Sequence, residues 1–225
     1  MKRTIYSVLA SLLIIVVSSS ELSGQLKLPA IFSDNMVLQQ KSDVAVWGTA
    51  SGNSTVKVTT SWNKKSYSAK AGADGKWKVK VSTPSAGGPY EVIVSERSTI
   101  RFKNVLIGEV WVCSGQSNME MPVKGYRNQP VKGSNEAIAT SANPQIRLFT
   151  VTRATNLQPQ DDFTGTWKLC EPENVSQFSA TAYFFGLMLY KALDVPVGLV
   201  NTSWGGTRIE PWISEAGIKN FDFVT

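Results

Sequence analysis

Hydrophobic and polar positions alternate with a period of two from about Leu26 to Lys103. In Lys76–Val81, Trp77, Val79 and Val81 point one way and three lysines the other. Val56 and Val58 alternate with Lys57 and Thr59, and Tyr90, Val92 and Val94 alternate with Glu91 and polar neighbours. Successive side chains of a strand face opposite sides, so this pattern predicts strands with one wet and one dry face. Asp74-Gly75 and Gly87-Gly88-Pro89 supply turn chemistry between the runs. Short strands at this spacing, without a helical period, predict a small antiparallel β-sandwich over residues 25–104.

The pattern changes near Asn104. Val105–Cys113 is an apolar run interrupted only by Gly108 and Glu109, as expected of a strand buried on both faces of a parallel sheet. Ser179 is placed to cap a helix whose apolar positions are Ala182, Phe185, Leu189 and Leu193, ending before Pro196. Val197–Asn201 then reads as another buried strand. Strand, crossover helix and strand make the unit of a parallel α/β sheet, assigned to residues 105–225. Ser214 followed by Glu215-Ala216 reads as the opening of one more helix.

The first residues carry a different signal. Lys2 and Arg3 precede a mostly apolar run from Ile5 to Val17, followed by three serines. A positive start, a short apolar stretch and small residues form a secretory leader, here residues 1–24. The run is shorter than the ~20 residues a membrane span needs. Cleavage after Ser20 and after Gly24 both fit. The expected location is secreted or periplasmic, with no membrane attachment after cleavage. With cleavage after Ser20, loss of Lys2 and Arg3 lowers the formal charge from +6 to +4. The remaining basic residues are scattered along strand faces, which argues against a nucleic-acid partner.

The chain has 225 residues, two cysteines and no histidine. That length suits one large or two small domains. Without histidine, its own residues cannot build a Ser-His-Asp triad or a His-ligated metal site, and no metal or other cofactor is expected. Cys113 ends a buried strand, where a thiol acts as a small hydrophobe. Cys113 and Cys170 are therefore expected to be free rather than bridged.

Chemistry is expected beyond the carboxyl ends of the two α/β strands, where both Gly-rich turns lie. Ser117 follows the first strand by a tight turn containing Gly115. That placement serves either as a helix cap or as an exposed nucleophile beside converging N–H groups. Val112-Cys113-Ser114-Gly115-Gln116-Ser117-Asn118-Met119 resembles the first block of SGNH-type carbohydrate esterases, and within them the sialate O-acetylesterase family and related acetylxylan esterases. Ser179–Phe185, Pro196–Leu199, Asn201–Trp212 and the opening Pro29–Gln39 agree with that family in order and spacing.

The resemblance implies an SGNH-like α/β fold and a serine esterase acting on an O-acetylated sugar, either a sialic acid or acetylated xylan. It implies Ser117 as nucleophile, and an oxyanion hole from the N–H groups of Ser117 and of Gly205 or Gly206. Gln116, Asn118 and Glu120 then hold the loop or rim the pocket. Arg208 pairs either with a sugar carboxylate or with Glu210 or Glu215. Trp204 and Trp212 either stack on the sugar or pack beneath the loop. The family's later Trp-Tyr-Gln-Gly-Glu and Asp-x-His-Pro blocks are absent. A serine at its free pKa is a poor nucleophile without a base, so the chain is expected to be an inactive N-terminal fragment with an incomplete sheet. The alternative is a non-catalytic secreted glycan-binding or spacer module.

Overall fold

The structure, a computed structural model, describes residues 24–219 and residue 221. The leader expected over residues 1–24 lies outside the described residues except for Gly24. Ten strands are described: β1 (Val37–Gln39), β2 (Asp43–Thr49), β3 (Thr55–Thr60), β4 (Ser66–Lys70), β5 (Lys76–Ser82), β6 (Gly87–Ser95), β7 (Thr99–Cys113), β8 (Asn143–Thr150), β9 (Trp167–Cys170) and β10 (Val197–Asn201). Five α-helices accompany them, α1 (Ser117–Glu120), α2 (Ser134–Ala139), α3 (Pro172–Gln177), α4 (Ala180–Leu193) and α5 (Glu215–Ile218), with a 3-10 turn at Glu210–Trp212.

β4, β3, β6 and the first half of β7 form an antiparallel layer, and β2 pairs with β5 in a second one. Val56, Val58, Val92 and Val94 from the first layer share one core with Val46, Trp77 and Val81 from the second. This is the expected sandwich, and its lysines line the wet side as the period of two requires. Gly87-Gly88-Pro89 departs from expectation. These residues start β6 instead of forming a free turn, with Gly87 paired to Ile107 and the register shifting before Tyr90. Gly88 and Pro89 stand opposite the single residue Leu106, a bulge of one extra residue, so the strand accommodates chemistry that normally ends one.

β7 is fifteen residues long and passes from one half of the protein into the other. It is antiparallel to β6 up to Ile107, then parallel to β10 from Glu109 to Cys113. Asn104-Val105 therefore falls inside a strand. β10 lies between β7 and β8 and is parallel to both, and β9 closes the far edge antiparallel to β8. The α/β half is thus a mainly parallel sheet continuous with the sandwich.

Two expectations about burial need correction. β7 is buried on both faces only at Val105–Gly108, whereas Trp111 is 42% and Val112 69% exposed. Beyond Gly108 the strand loses its partner on the side away from β10, because β1 ends there. Likewise, α4 does not bury Phe185 or Leu193. Its core face carries Ala182, Tyr183 and Gly186, and Phe185 and Leu193 remain exposed. Gly186 sets this rotation: a Cβ there would lie 2.5 Å from Leu199 Cδ1, so β10 approaches the helix at that point. The expected cap holds, with Ser179 Oγ accepting from the Ala182 N–H at 3.1 Å. Ser214 Oγ likewise accepts from the Gly217 N–H and opens α5.

Candidate active site

The parallel strands β7 and β10 end side by side, with Asn201 opposite Cys113. The chains leaving them stay together. Thr202 N–H donates to the Cys113 carbonyl and Trp204 N–H to the Gly115 carbonyl, each at 2.9 Å. Gly115 (φ +141°) and Gly206 (φ +78°) adopt backbone angles that favour glycine, which lets both turns fold back tightly. The serine turn is also tied to α4. Ala180 N–H donates to the Met121 carbonyl, and Thr181 Oγ1 to the Asn118 carbonyl.

Ser117 begins the one-turn helix α1 and is exposed. Its hydroxyl has no hydrogen-bond partner among the described residues. A Cβ on Gly205 would lie 3.3 Å from Ser117 Oγ, so the diglycine bend sits against the serine. A shallow depression of about 380 Å³ opens here, lined by Gly115, Gln116, Ser117, Asn118, Met119 and Thr181. Gln116 and Asn118 are exposed on its rim.

The Gly205 amide is engaged. It donates to Glu120 Oε2, while Glu120 Oε1 receives Arg153 and the Tyr126 hydroxyl. Burial pushes the Glu120 carboxyl up, but the Gly205 N–H, Arg153 and Tyr126 outweigh it and leave the carboxyl below its ordinary value. The Gly206 N–H, by contrast, has no acceptor among the described residues. Arg153 also lies over the Trp204 ring, 5.9 Å from its centroid. One face of Trp204 is therefore taken by a cation. Sequence reasoning missed Arg153, which follows β8 by three residues in a stretch without periodicity. Its only signal was a lone basic residue just past a strand end.

Arg208 is exposed and forms no ion pair among the described residues, and Glu215 pairs with Lys219 instead. Trp212 packs back beneath the turn, its indole N–H donating to Thr207 Oγ1, which donates to the Trp204 carbonyl. Cys113 and Cys170 are both buried and free. Among the described residues no cluster of three His, Cys, Asp or Glu is placed to hold a metal. No described helix is long and apolar enough to cross a membrane.

A larger cleft of about 620 Å³ lies elsewhere, between the sandwich and the segment at 160–163. Two ion pairs, Lys76–Asp161 and Lys27–Asp162, and the bond from Trp47 Nε1 to the Asp161 carbonyl tie its walls together. It shares no residue with the depression at Ser117.

Residues 107–223 match a family described as carbohydrate esterase, sialic acid-specific acetylesterase. Sialate O-acetylesterase of Mus musculus is 34% identical over 209 residues, covering 84% of this chain and 38% of that protein. The Homo sapiens protein of the same name is 34% identical over 206 residues, covering 83% and 38%. The crystal structure of a carbohydrate acetylesterase from Xanthomonas citri superposes with a TM-score of 0.78 at 36% identity, over 84% of this chain and 43% of that one. The chain thus spans well under half the length of these relatives. On the matched sequence and the shared fold, it belongs to the sialic acid-specific acetylesterase family of carbohydrate esterases.

Proposed function

We propose that this protein is a carbohydrate O-acetylesterase with Ser117 as its nucleophile, acting on an O-acetylated sialic acid. The observation that carries this reading is an exposed, unbonded serine hydroxyl where two parallel strands end, with a diglycine bend against it. Ser117 Oγ attacks the acetyl carbonyl and its proton passes to a base. The carbonyl oxygen becomes an oxyanion facing backbone N–H groups. The Ser117 and Gly206 amides are the free donors, since Gly205 is held by Glu120. Collapse releases the sugar hydroxyl and leaves acetyl-Ser117, which water then cleaves to acetate.

The base is not among these residues, because the chain has no histidine. An imidazole and its orienting carboxylate come from outside the 225 residues, and the chain alone releases no acetate. The leader pattern of Lys2, Arg3 and Ile5–Val17 supports a secreted or periplasmic location. The histidine count is also what favours the second reading, a glycan-binding or spacer module without chemistry.

Acetate release from O-acetylated sialic acid and from acetylated xylan, by the full polypeptide carrying this chain, tests the proposal. Release is expected with the sialic acid, and Ser117→Ala is expected to lower it by about a thousandfold or more. Release from xylan alone selects the acetylxylan reading. No release from either, with sugar binding retained, selects the spacer module.

A further inference from the structure

Three elements converge on Glu120, and their arrangement sorts charge by direction. The Glu120 side chain is 19% exposed and faces inward, where it meets the Gly205 N–H and the Tyr126 hydroxyl. Its partner Arg153 is 46% exposed and faces outward. A guanidinium carries five N–H donors, and in Arg153 one nitrogen is committed to Glu120. The other donors have no acceptor among the described residues. Below lies Trp204, whose ring attracts the cation and limits the orientations of its plane. The outward surface of this cluster is therefore a fixed planar cation with unfilled donors.

Its position relative to the nucleophile is also fixed. One oxygen of Glu120 holds Gly205, which lies against Ser117 Oγ, and the other oxygen holds Arg153. The cation and the hydroxyl thus stand on two sides of a single carboxylate. A guanidinium fork matches a carboxylate through two parallel N–H···O bonds, a geometry that an ammonium or a neutral amide does not offer.

We propose that Arg153, seated on Trp204, is a subsite for the carboxylate of an acidic sugar, placed so that the same sugar presents its acetyl ester to Ser117. The subsite deepens the esterase reading and rests on it. Arg153 reads a group that does not react and so sets which sugar is accepted. Arg208, the basic residue singled out by the sequence, does not carry this role, since nothing among the described residues orients it. The Trp204 ring supports the guanidinium on one face and leaves sugar stacking to its other surface.

Titration of the chain with a free sialic acid and with its carboxyl methyl ester, followed by amide NMR shifts, isolates the charge. The free acid is expected to bind about tenfold more tightly than the ester, with shifts at Trp204 and Gly205. Arg153→Gln is expected to erase the difference, Arg153→Lys to retain part of it, and Arg208→Gln to leave it whole. A melting temperature for each variant separates lost binding from lost folding. Equal binding of acid and ester by the wild-type chain, no binding of the acid, or discrimination that survives Arg153→Gln would overturn the subsite. Ser117→Ala is expected to keep the discrimination. No acetate release by the unsubstituted full polypeptide, with discrimination intact, therefore counts against the esterase reading alone.

Discussion

At Glu120 a single carboxylate accepts donors from three segments distant in sequence: the diglycine bend, the residues after β8 and the loop after α1. Removing it leaves the Gly205 N–H and the Tyr126 hydroxyl without their acceptor. Glu120→Ala is therefore expected to cost about 1–3 kcal/mol in urea unfolding, while Glu120→Gln keeps an acceptor and costs less. The linkage has a definite sign. The folded carboxyl titrates below its ordinary value of 4.5, so its contribution is complete above that pH and is lost as pH falls through the lower folded value. Melting temperatures from pH 6 to pH 3 are expected to drop more steeply for wild type than for Glu120→Gln, and parallel curves would refute the clamp. The two thiols give a second residue-scale test. Burial pushes Cys113 up to about 11 and Cys170 up to about 12. Neither is expected to react with iodoacetamide at pH 8 in the native chain, and both are expected to react in denaturant. Ser117 and the diglycine bend were legible from their place after strands. The Glu120–Arg153 pair was not, because two residues so far apart meet only once the sheet brings their loops together.

Elements were legible where solvent divides their faces. β3, β5 and β6 alternate because one side of the sandwich is wet, and β10 reads as continuous because both its faces meet a core, Val197 and Leu199 in one and Val200 in the other. β8 escaped the same reading. Its apolar run is broken by Arg147, which is 2% exposed and reaches the Pro144 and Ile146 carbonyls. A buried arginine whose Nη1 is held by local carbonyls while its Nε has no partner among the described residues looks, in sequence, like a solvent position. In α4 the apolar residues run almost around the helix, so the period could not choose a face and the missing side chain of Gly186 did. Gly108 had a comparable hidden role. It read as an interruption in an apolar strand, yet a Cβ there would stand 2.0 Å from the Pro196 carbonyl oxygen. That atom belongs to the backbone and cannot turn aside. Gly108→Ala is therefore expected to destabilise by about 2 kcal/mol or more, read as a lower urea midpoint at unchanged slope. A neutral result would mean that β10 can shift away from β7 without loss.

At the scale of the molecule, one side of the sheet is open among the described residues. β7 pairs with β10 through Cys113, but on its other side β1 ends opposite Gly108 and, among the described residues, only the Gln39 side chain continues, accepting the Val110 N–H. Because donors alternate along a strand, the Val112 N–H faces this open side. Beside it, Trp111 meets Phe185 edge to face, and Phe184 and Met188 extend the apolar surface along α4. An unpaired strand next to exposed aromatic rings is a template for another strand. The 225-residue chain is therefore expected to self-associate through this edge, and more so in sulfate, which strengthens apolar burial. Val112→Lys combined with Met188→Lys places charge on the strand edge and on the helix while touching neither Ser117 nor the sandwich core. Light scattering after gel filtration is expected to show mixed oligomers for wild type and a larger monomer fraction for the double variant. A wild-type chain that elutes as a single monomer at high concentration would show that this edge protects itself. The expectation would fail equally if the double variant associated as strongly as wild type, since association would then run through some other surface.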